Sequence, residues 1–90
     1  MRRPIAAVHL TSDFQKSFRH LPKNIQRLAE KKDRWFRSDA FDSRLDTHKL
    51  KGELAGYWAY SVNYQYRILF AFLGSDEVIY YDVGTHEIYR

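Results

Sequence analysis

The sequence has no cysteine, which excludes disulfide bonds and zinc sites built on thiolates. It also has no long apolar run: the opening stretch MRRPIAAVHLTSD is interrupted by His9, Thr11 and Asp13, and predicts neither a signal peptide nor a membrane span. Glycine-rich phosphate loops and histidine–carboxylate clusters at metal spacing are missing as well. We therefore expect a cytoplasmic protein with no membrane partner, no metal and no small-molecule cofactor.

The residues that are present favour one packed domain spanning 1–90. Hydrophobic residues make up 44% of the chain, and seven Tyr, six Phe and two Trp are among them. The net charge of +4 is uneven: residues 1–54 carry 13 basic and 7 acidic side chains, whereas residues 55–90 carry 2 and 4. The basic half favours attraction to a polyanion or an acidic protein, although a solvated helix surface gives the same pattern.

Hydrophobic periodicity predicts the element order β-α-α-β-β-β-β. A short strand within residues 4–10 is followed by a helix capped by Thr11 or Ser12, and a second helix begins at Pro22. Aromatic and β-branched runs at 48–54, 57–63, 66–73 and 77–83 are separated by short turns, which indicates antiparallel strands. We expect an α+β domain with a helical hairpin on one face of a mainly antiparallel twisted sheet and a partly open opposite face.

Arg67 is the most unusual residue of the third of these runs, because its neighbours in YRILFAF are apolar or aromatic. A guanidinium group stays charged, and burying it without a partner is costly. Arg67 therefore either pairs with a carboxylate or lies on the open face, where it could bind an anion.

Two histidines flank the predicted sheet: His48 opens its first long run and His86 follows its last. Histidine is the side chain best suited to proton transfer near neutral pH, although most isolated histidines are structural, and we interpret His9 and His20 in that way. Lys49 and Lys51 alternate with Leu50, so both could face a phosphate backbone, or could simply protect a strand edge. Strict alternation places His48 on the opposite face, and a shared site would need a loop or a bulge there.

The segments LDTHKLKGELAGYWAYSVNYQYRILFAF and DVGTHEIYR together resemble the RelE/ParE superfamily of bacterial toxin–antitoxin toxins, and the second resembles its YafQ-like branch. The resemblance covers residues 44–90, and the helical hairpin agrees with it in pattern. It implies a RelE-like fold and a ribosome-dependent mRNA endonuclease that inhibits translation. The family reaction needs no metal: a ribose 2′-hydroxyl attacks the adjacent phosphorus and leaves a 2′,3′-cyclic phosphate.

The resemblance also implies roles for individual residues. His48 would be the base, Arg67 the cation at the scissile phosphate, His86 the acid, and Tyr89 the aromatic residue that orients the nucleotide. Lys49 and Lys51 would contact RNA.

The same resemblance leaves two other functions open. ParE-type members inhibit DNA gyrase by binding it and cut no RNA, and an inactive relative would bind only its antitoxin and operator DNA. Under each reading the expected partner is an acidic antitoxin, which in this family also binds DNA; for the nuclease, the ribosome and mRNA are further partners.

Overall fold

The computed structural model describes residues 2–89, which form two helices and a five-stranded sheet. The strands are β1 (Ala7–Leu10), β2 (His48–Lys49), β3 (Trp58–Ser61), β4 (Arg67–Phe72) and β5 (Glu77–Gly84), and the helices are α1 (Ser12–Arg19) and α2 (Lys23–Ser38). Short 3-10 turns occupy Ser43–Leu45, Gly52–Leu54 and His86–Tyr89. The predicted α+β architecture is confirmed, and no helix among residues 2–89 is long and apolar enough to cross a membrane.

The strand order in the sheet is β1-β5-β4-β3-β2. β1 runs parallel to β5, and the three other pairs are antiparallel, so the sheet is mixed and β1 and β2 lie at its edges. Since β1 and β5 come from the two ends of the sequence, their pairing closes the domain. Between Leu69 and Phe70 the β4–β5 register shifts, which leaves Tyr81 as an extra residue of β5.

Local chemistry explains the helical hairpin. Thr11 caps α1 by accepting a 3.0 Å hydrogen bond from the backbone N–H of Phe14, and Pro22 immediately precedes α2. Gln26 then closes the corner between the helices, because its side-chain amide donates to the carbonyls of Phe18, Arg19 and Leu21. These contacts tie the end of α1 and the corner residue Leu21 to the first turns of α2.

The core lies between α2 and the sheet. Phe36 is fully buried, with its ring centroid 4.6 Å from that of Tyr60 and 4.9 Å from that of Phe70. Ile68 and Phe70 point to this side of β4, while Arg67, Leu69 and Ala71 alternate to the other side.

A buried hydrogen-bond chain ties the core to α2. The Asp33 carboxylate can only accept, so the Tyr80 hydroxyl donates to it at 2.7 Å and must accept from Tyr60 at 2.8 Å. Arg37 donates to the other Asp33 oxygen at 2.9 Å. Burial raises the pKa of both tyrosines, which keeps them in the neutral form that the chain of donors needs.

The strand predicted over residues 48–54 is wrong beyond Lys49. Gly52 adopts a positive φ of 68°, and residues 52–54 form a 3-10 turn instead. β2 is therefore only two residues long. The connection between α2 and β2 contains the Ser43–Leu45 turn, which places Leu45 in the core.

Candidate functional site

The sheet surface opposite the helices, here called the open face, carries most of the predicted site residues. In an antiparallel pair, residues directly opposite each other project to the same side. Ser61, Arg67 and Gly84 form one such row at the end of the sheet. His48, Ala59, Leu69 and Asp82 form the next row on the same face.

Arg67 is anchored by one nitrogen of its guanidinium group. Nη1 lies 2.6 Å from the carbonyl oxygen of Asn63, 3.0 Å from that of Tyr64 and 3.2 Å from that of Tyr66, so it donates into the turn that joins β3 to β4. The side chain of Asn63 braces the same turn by accepting from the backbone N–H groups of Gln65 and Tyr66.

The rest of the Arg67 guanidinium remains available. Among residues 2–89, Nε and Nη2 of Arg67 make no hydrogen bond, and the three ion pairs there, His9–Glu77, Arg37–Asp33 and Arg44–Asp42, do not include it. Within the described residues 2–89, Arg67 therefore forms no carboxylate pair and lies on the open face, the second of its two expected placements. A partly exposed, fixed guanidinium with one open edge can bind a phosphate through two parallel hydrogen bonds.

The C-terminal turn, His86–Tyr89, folds back over the open face. A Cβ atom at Gly84 would lie only 2.7 Å from Cγ2 of Ile88, so Ile88 occupies the space where a side chain at position 84 would be. Because Gly84 is directly opposite Arg67 in the sheet, this packing brings the turn to the guanidinium.

Tyr89 is close enough to Arg67 to interact with its charge. Burial raises the pKa of the Tyr89 hydroxyl, and the positive charge of Arg67 partly opposes that rise. The ring of His86 stands edge-on to that of Tyr89, with 6.0 Å between the centroids, and the imidazole remains exposed. The structure thus groups Arg67, His86 and Tyr89 at one end of the sheet.

His48 lies on the same face but at a distance from this group. It is two strands away from Arg67 and two residues further along, which corresponds to about 12 Å between Cα atoms. Its Nδ1 atom donates to the carbonyl of Asp46 at 2.9 Å, so in the neutral ring the exposed Nε2 is the acceptor. This is the tautomer that a general base needs.

The two lysines do not join the group. Lys49 lies directly opposite Trp58 on the helix side of the sheet, with its Nζ atom 5.6 Å from the Trp58 ring centroid. Lys51 precedes the Gly52–Leu54 turn and is exposed. The expectation that both would emerge from one strand face is wrong, because the strand ends at Lys49.

Sequence reasoning missed three residues that shape this region. Gly84 and Ile88 form the contact that holds the C-terminal turn against the sheet. The only sign of a turn there in the sequence was the Gly-Thr pair in DVGTHEIYR. Tyr64, at the tip of the β3–β4 turn, is 91% exposed, and its carbonyl holds Arg67. The sequence feature that indicated an exposed turn residue was the position of Tyr64 after Asn63 in the polar NYQ segment.

An apolar groove, here called the hairpin groove, lies between the helices and β1. It encloses about 160 Å³ and is lined by Leu10, Phe14, Phe18, Tyr80 and the Asp33–Arg37 pair, among others. Leu10 is 44% exposed at its rim. The groove lies on the helix side of the sheet, where Ile68 is part of its lining, whereas the neighbouring Arg67 points to the open face.

Solved toxin structures share this architecture. A YoeB/ParE toxin from Agrobacterium tumefaciens superposes with a TM-score of 0.75 at 17% identity, covering 89% of this chain and 98% of that one. The RelBE2 toxin–antitoxin complex from Mycobacterium tuberculosis gives 0.74 at 20% identity, with coverage of 92% and 93%. YafQ from E. coli strain BL21(DE3) gives 0.67 at 15% identity, with 91% and 94%.

No family model and no curated protein sequence matches the chain. The likeness is therefore one of three-dimensional structure, and it extends over nearly the whole length of both partners in each comparison. Two helices on a five-stranded mixed sheet, in this order and topology, are therefore the RelE-like fold that these toxin structures have.

Proposed function

We propose that this protein is the toxin of a toxin–antitoxin pair and cuts mRNA on the ribosome without a metal ion. The observation that supports the proposal is the state of Arg67: one guanidinium nitrogen is fixed by backbone carbonyls, and the positive charge lies close enough to Tyr89 to oppose the rise in the pKa of its hydroxyl. Charge that develops on a phosphoryl oxygen during 2′-hydroxyl attack is stabilised best by a donor that is already in place.

In the proposed reaction the scissile phosphate binds the open edge of Arg67. The 2′-hydroxyl oxygen forms a bond to phosphorus while the bond to the 5′ oxygen breaks, and a 2′,3′-cyclic phosphate results. His86 donates a proton to the leaving oxygen, and Tyr89 packs against the nucleotide.

His48 is the proposed acceptor of the 2′ proton. Its outward Nε2 suits the role, and the ribonucleotide would have to span the space between β2 and β4. Lys51 is the proposed contact for RNA beyond the cut. Lys49 has no direct part in this scheme, because it lies on the other side of the sheet.

The proposed partner is an acidic antitoxin that also binds operator DNA. A basic domain with an apolar cleft suits an acidic chain that inserts an amphipathic helix. The hairpin groove fits apolar side chains of such a helix, and among the similar structures RelBE2 is a toxin–antitoxin complex. Co-purification with an acidic protein encoded next to this gene, and its loss on Leu10→Glu, would test the partner.

Primer extension on cellular mRNA after induction tests the activity. Discrete cuts within translated frames, absent with Arg67→Ala, are the expected result. Intact messages together with altered plasmid supercoiling would instead identify a gyrase inhibitor. Intact messages with normal growth would identify an inactive antitoxin-binding relative, and either outcome would overturn the nuclease proposal.

A further inference from the structure

A second concave surface, here called the corner groove, lies where the two helices meet the end of the sheet. It encloses about 520 Å³ and is lined by Lys16, Ser17 and His20 of the α1 region, by Leu21 and Pro22 at the corner, and by Tyr66, which immediately precedes β4. Val83 forms its floor from β5. Of these residues only Tyr66 also contacts Arg67, through its backbone carbonyl.

The basic side chains around this groove form no ion pair with the carboxylates of residues 2–89. Lys16, Arg19, His20 and Lys23 follow one another through the corner, and none of them takes part in the ion pairs formed among residues 2–89. His20 donates from Nδ1 to the carbonyl of Lys16 at 2.7 Å, which turns its Nε2 outward. Since Gln26 binds three carbonyls at the end of α1, those carbonyls are less able to repel an anion.

The corner groove and the Arg67 site lie on opposite sides of one end of the sheet. Tyr66 lines the groove, and the next residue, Arg67, points to the open face. In the same way Val83 faces the groove and Gly84 faces the open side. A single strand of nucleic acid bound at Arg67 on the open face could bend around this end of the sheet. It would then enter the corner groove directly.

We propose that the corner groove binds single-stranded RNA next to the segment held at Arg67. Lys16 and His20 contact phosphate groups, and the Tyr66 ring packs against a base. This inference rests on the proposed function for its physiological substrate, but binding at the groove does not require the bond-breaking step.

The composition of the groove favours RNA over an acidic protein. Cations that follow a backbone, combined with an aromatic ring at the floor or wall, are the usual elements of single-strand nucleic-acid sites. An acidic helix would need a longer apolar stripe than Leu21, Pro22 and Val83 provide, and the hairpin groove offers one elsewhere.

The experiment measures binding of a labelled single-stranded DNA oligonucleotide by fluorescence anisotropy. Without 2′-hydroxyl groups the oligonucleotide cannot undergo the proposed cleavage, so binding is measured alone. The affinity is followed between about 50 and about 200 mM salt for the unsubstituted protein, Lys16→Gln and Lys16→Gln/His20→Gln. Arg34→Gln is the matched control, because it removes one positive charge from an exposed position of α2 outside the groove.

We expect Lys16→Gln to weaken binding and to reduce the slope of log affinity against log salt by about 0.7, the value for one lost single-strand phosphate contact. The double variant should weaken binding further, and Arg34→Gln should leave the slope unchanged. Equal behaviour of Lys16→Gln and Arg34→Gln overturns the inference, as does undetectable binding by the unsubstituted protein at low salt. Displacement of the oligonucleotide by polyglutamate with no dependence on Lys16 also overturns it.

These results separate the inference from the proposed function. Lys16-dependent binding by a protein that leaves cellular mRNA intact would support the corner groove and refute the nuclease. Cut mRNA with binding that is insensitive to Lys16 and His20 would do the reverse.

Discussion

Cγ2 of Ile88 lies where a side chain on Gly84 would begin, only 2.7 Å from the position of a Cβ atom. This contact holds the C-terminal turn against the sheet directly opposite Arg67. The packing of Ile88 against Gly84, which has no side chain, therefore determines the positions of His86 and Tyr89.

Replacing Gly84 with alanine should displace the C-terminal turn. The backbone of Gly84 does not need a positive φ, so the expected effect comes from the collision with Ile88 alone. We expect large amide chemical-shift changes at residues 85–89, loss of mRNA cleavage and little change in thermal stability. The Gly84→Ala/Ile88→Ala double variant should recover the native shifts at Thr85 and Tyr89, because it removes the colliding methyl group.

Gly74→Ala is the control for this pair, since nothing lies within 4 Å of a Cβ there. If the amide shifts of residues 85–89 in Gly84→Ala were the same as in the unsubstituted protein, the contact between Gly84 and Ile88 would not hold the turn in place.

Replacing Arg67 with alanine should reduce cleavage by about 10²-fold or more, the cost of one preorganised donor at a developing charge. Arg67→Lys should also be impaired, because an ammonium group cannot form the two parallel hydrogen bonds of a guanidinium. The measurement is the rate of message cleavage in a translation reaction. Asn63→Ala separates the roles of Arg67, since it weakens the same turn and keeps the guanidinium. If Asn63→Ala were as inactive as Arg67→Ala, Arg67 would act only by holding the turn.

The pKa of Tyr89 should respond to Arg67. Burial raises that pKa and the Arg67 charge lowers it, so Arg67→Ala should raise it further, whereas Arg67→Lys should change it less. Because the folded pKa exceeds the unfolded value, the stabilisation from the neutral hydroxyl is present below pH 10 and is lost as the pH rises through the folded pKa. An NMR titration of the Tyr89 Cζ resonance, assigned with Tyr89→Phe, measures this. An unchanged Tyr89 pKa in Arg67→Ala would show that the two side chains are too far apart to interact.

Replacing Tyr80 with phenylalanine should destabilise the domain by about 1–3 kcal/mol, since the buried Tyr60 hydroxyl loses its partner and Asp33 loses a donor. Urea unfolding gives the free energy. Tyr64→Phe removes the same atom from an exposed tip and should stay within about 0.5 kcal/mol of the unsubstituted protein. Equal stability of the two variants would contradict a structural role for the buried chain.

His48→Gln and Lys49→Gln should differ although the residues are adjacent. His48 shares the open face with Arg67 and Lys49 does not, so only His48→Gln should slow cleavage, by about 10²–10⁴-fold if it is the base. A comparable loss in Lys49→Gln would mean that RNA approaches from the helix side.

The apolar surroundings of Arg67 in YRILFAF were sufficient to predict that its charge must be paired or lie on the open face, because a guanidinium group is costly to bury alone. The short β2 was beyond such reasoning: the run after His48 has the residues of a strand, and only the positive φ of Gly52 ends it. The hydrogen bonds from Arg67 to the carbonyls of the β3–β4 turn could not be predicted from the sequence either. Backbone carbonyls are present at every position, so no sequence pattern distinguishes those that will receive a guanidinium.

The two-residue length of β2 limits how another chain can associate with this edge. An extended peptide laid beside it finds backbone partners only at His48 and Lys49 before the chain turns away at Gly52. Strand addition there would yield too few hydrogen bonds for a lasting complex, and the same shortness guards the free protein against edge-to-edge aggregation. Binding of a partner at the β2 edge must therefore depend on side-chain contacts rather than on strand pairing.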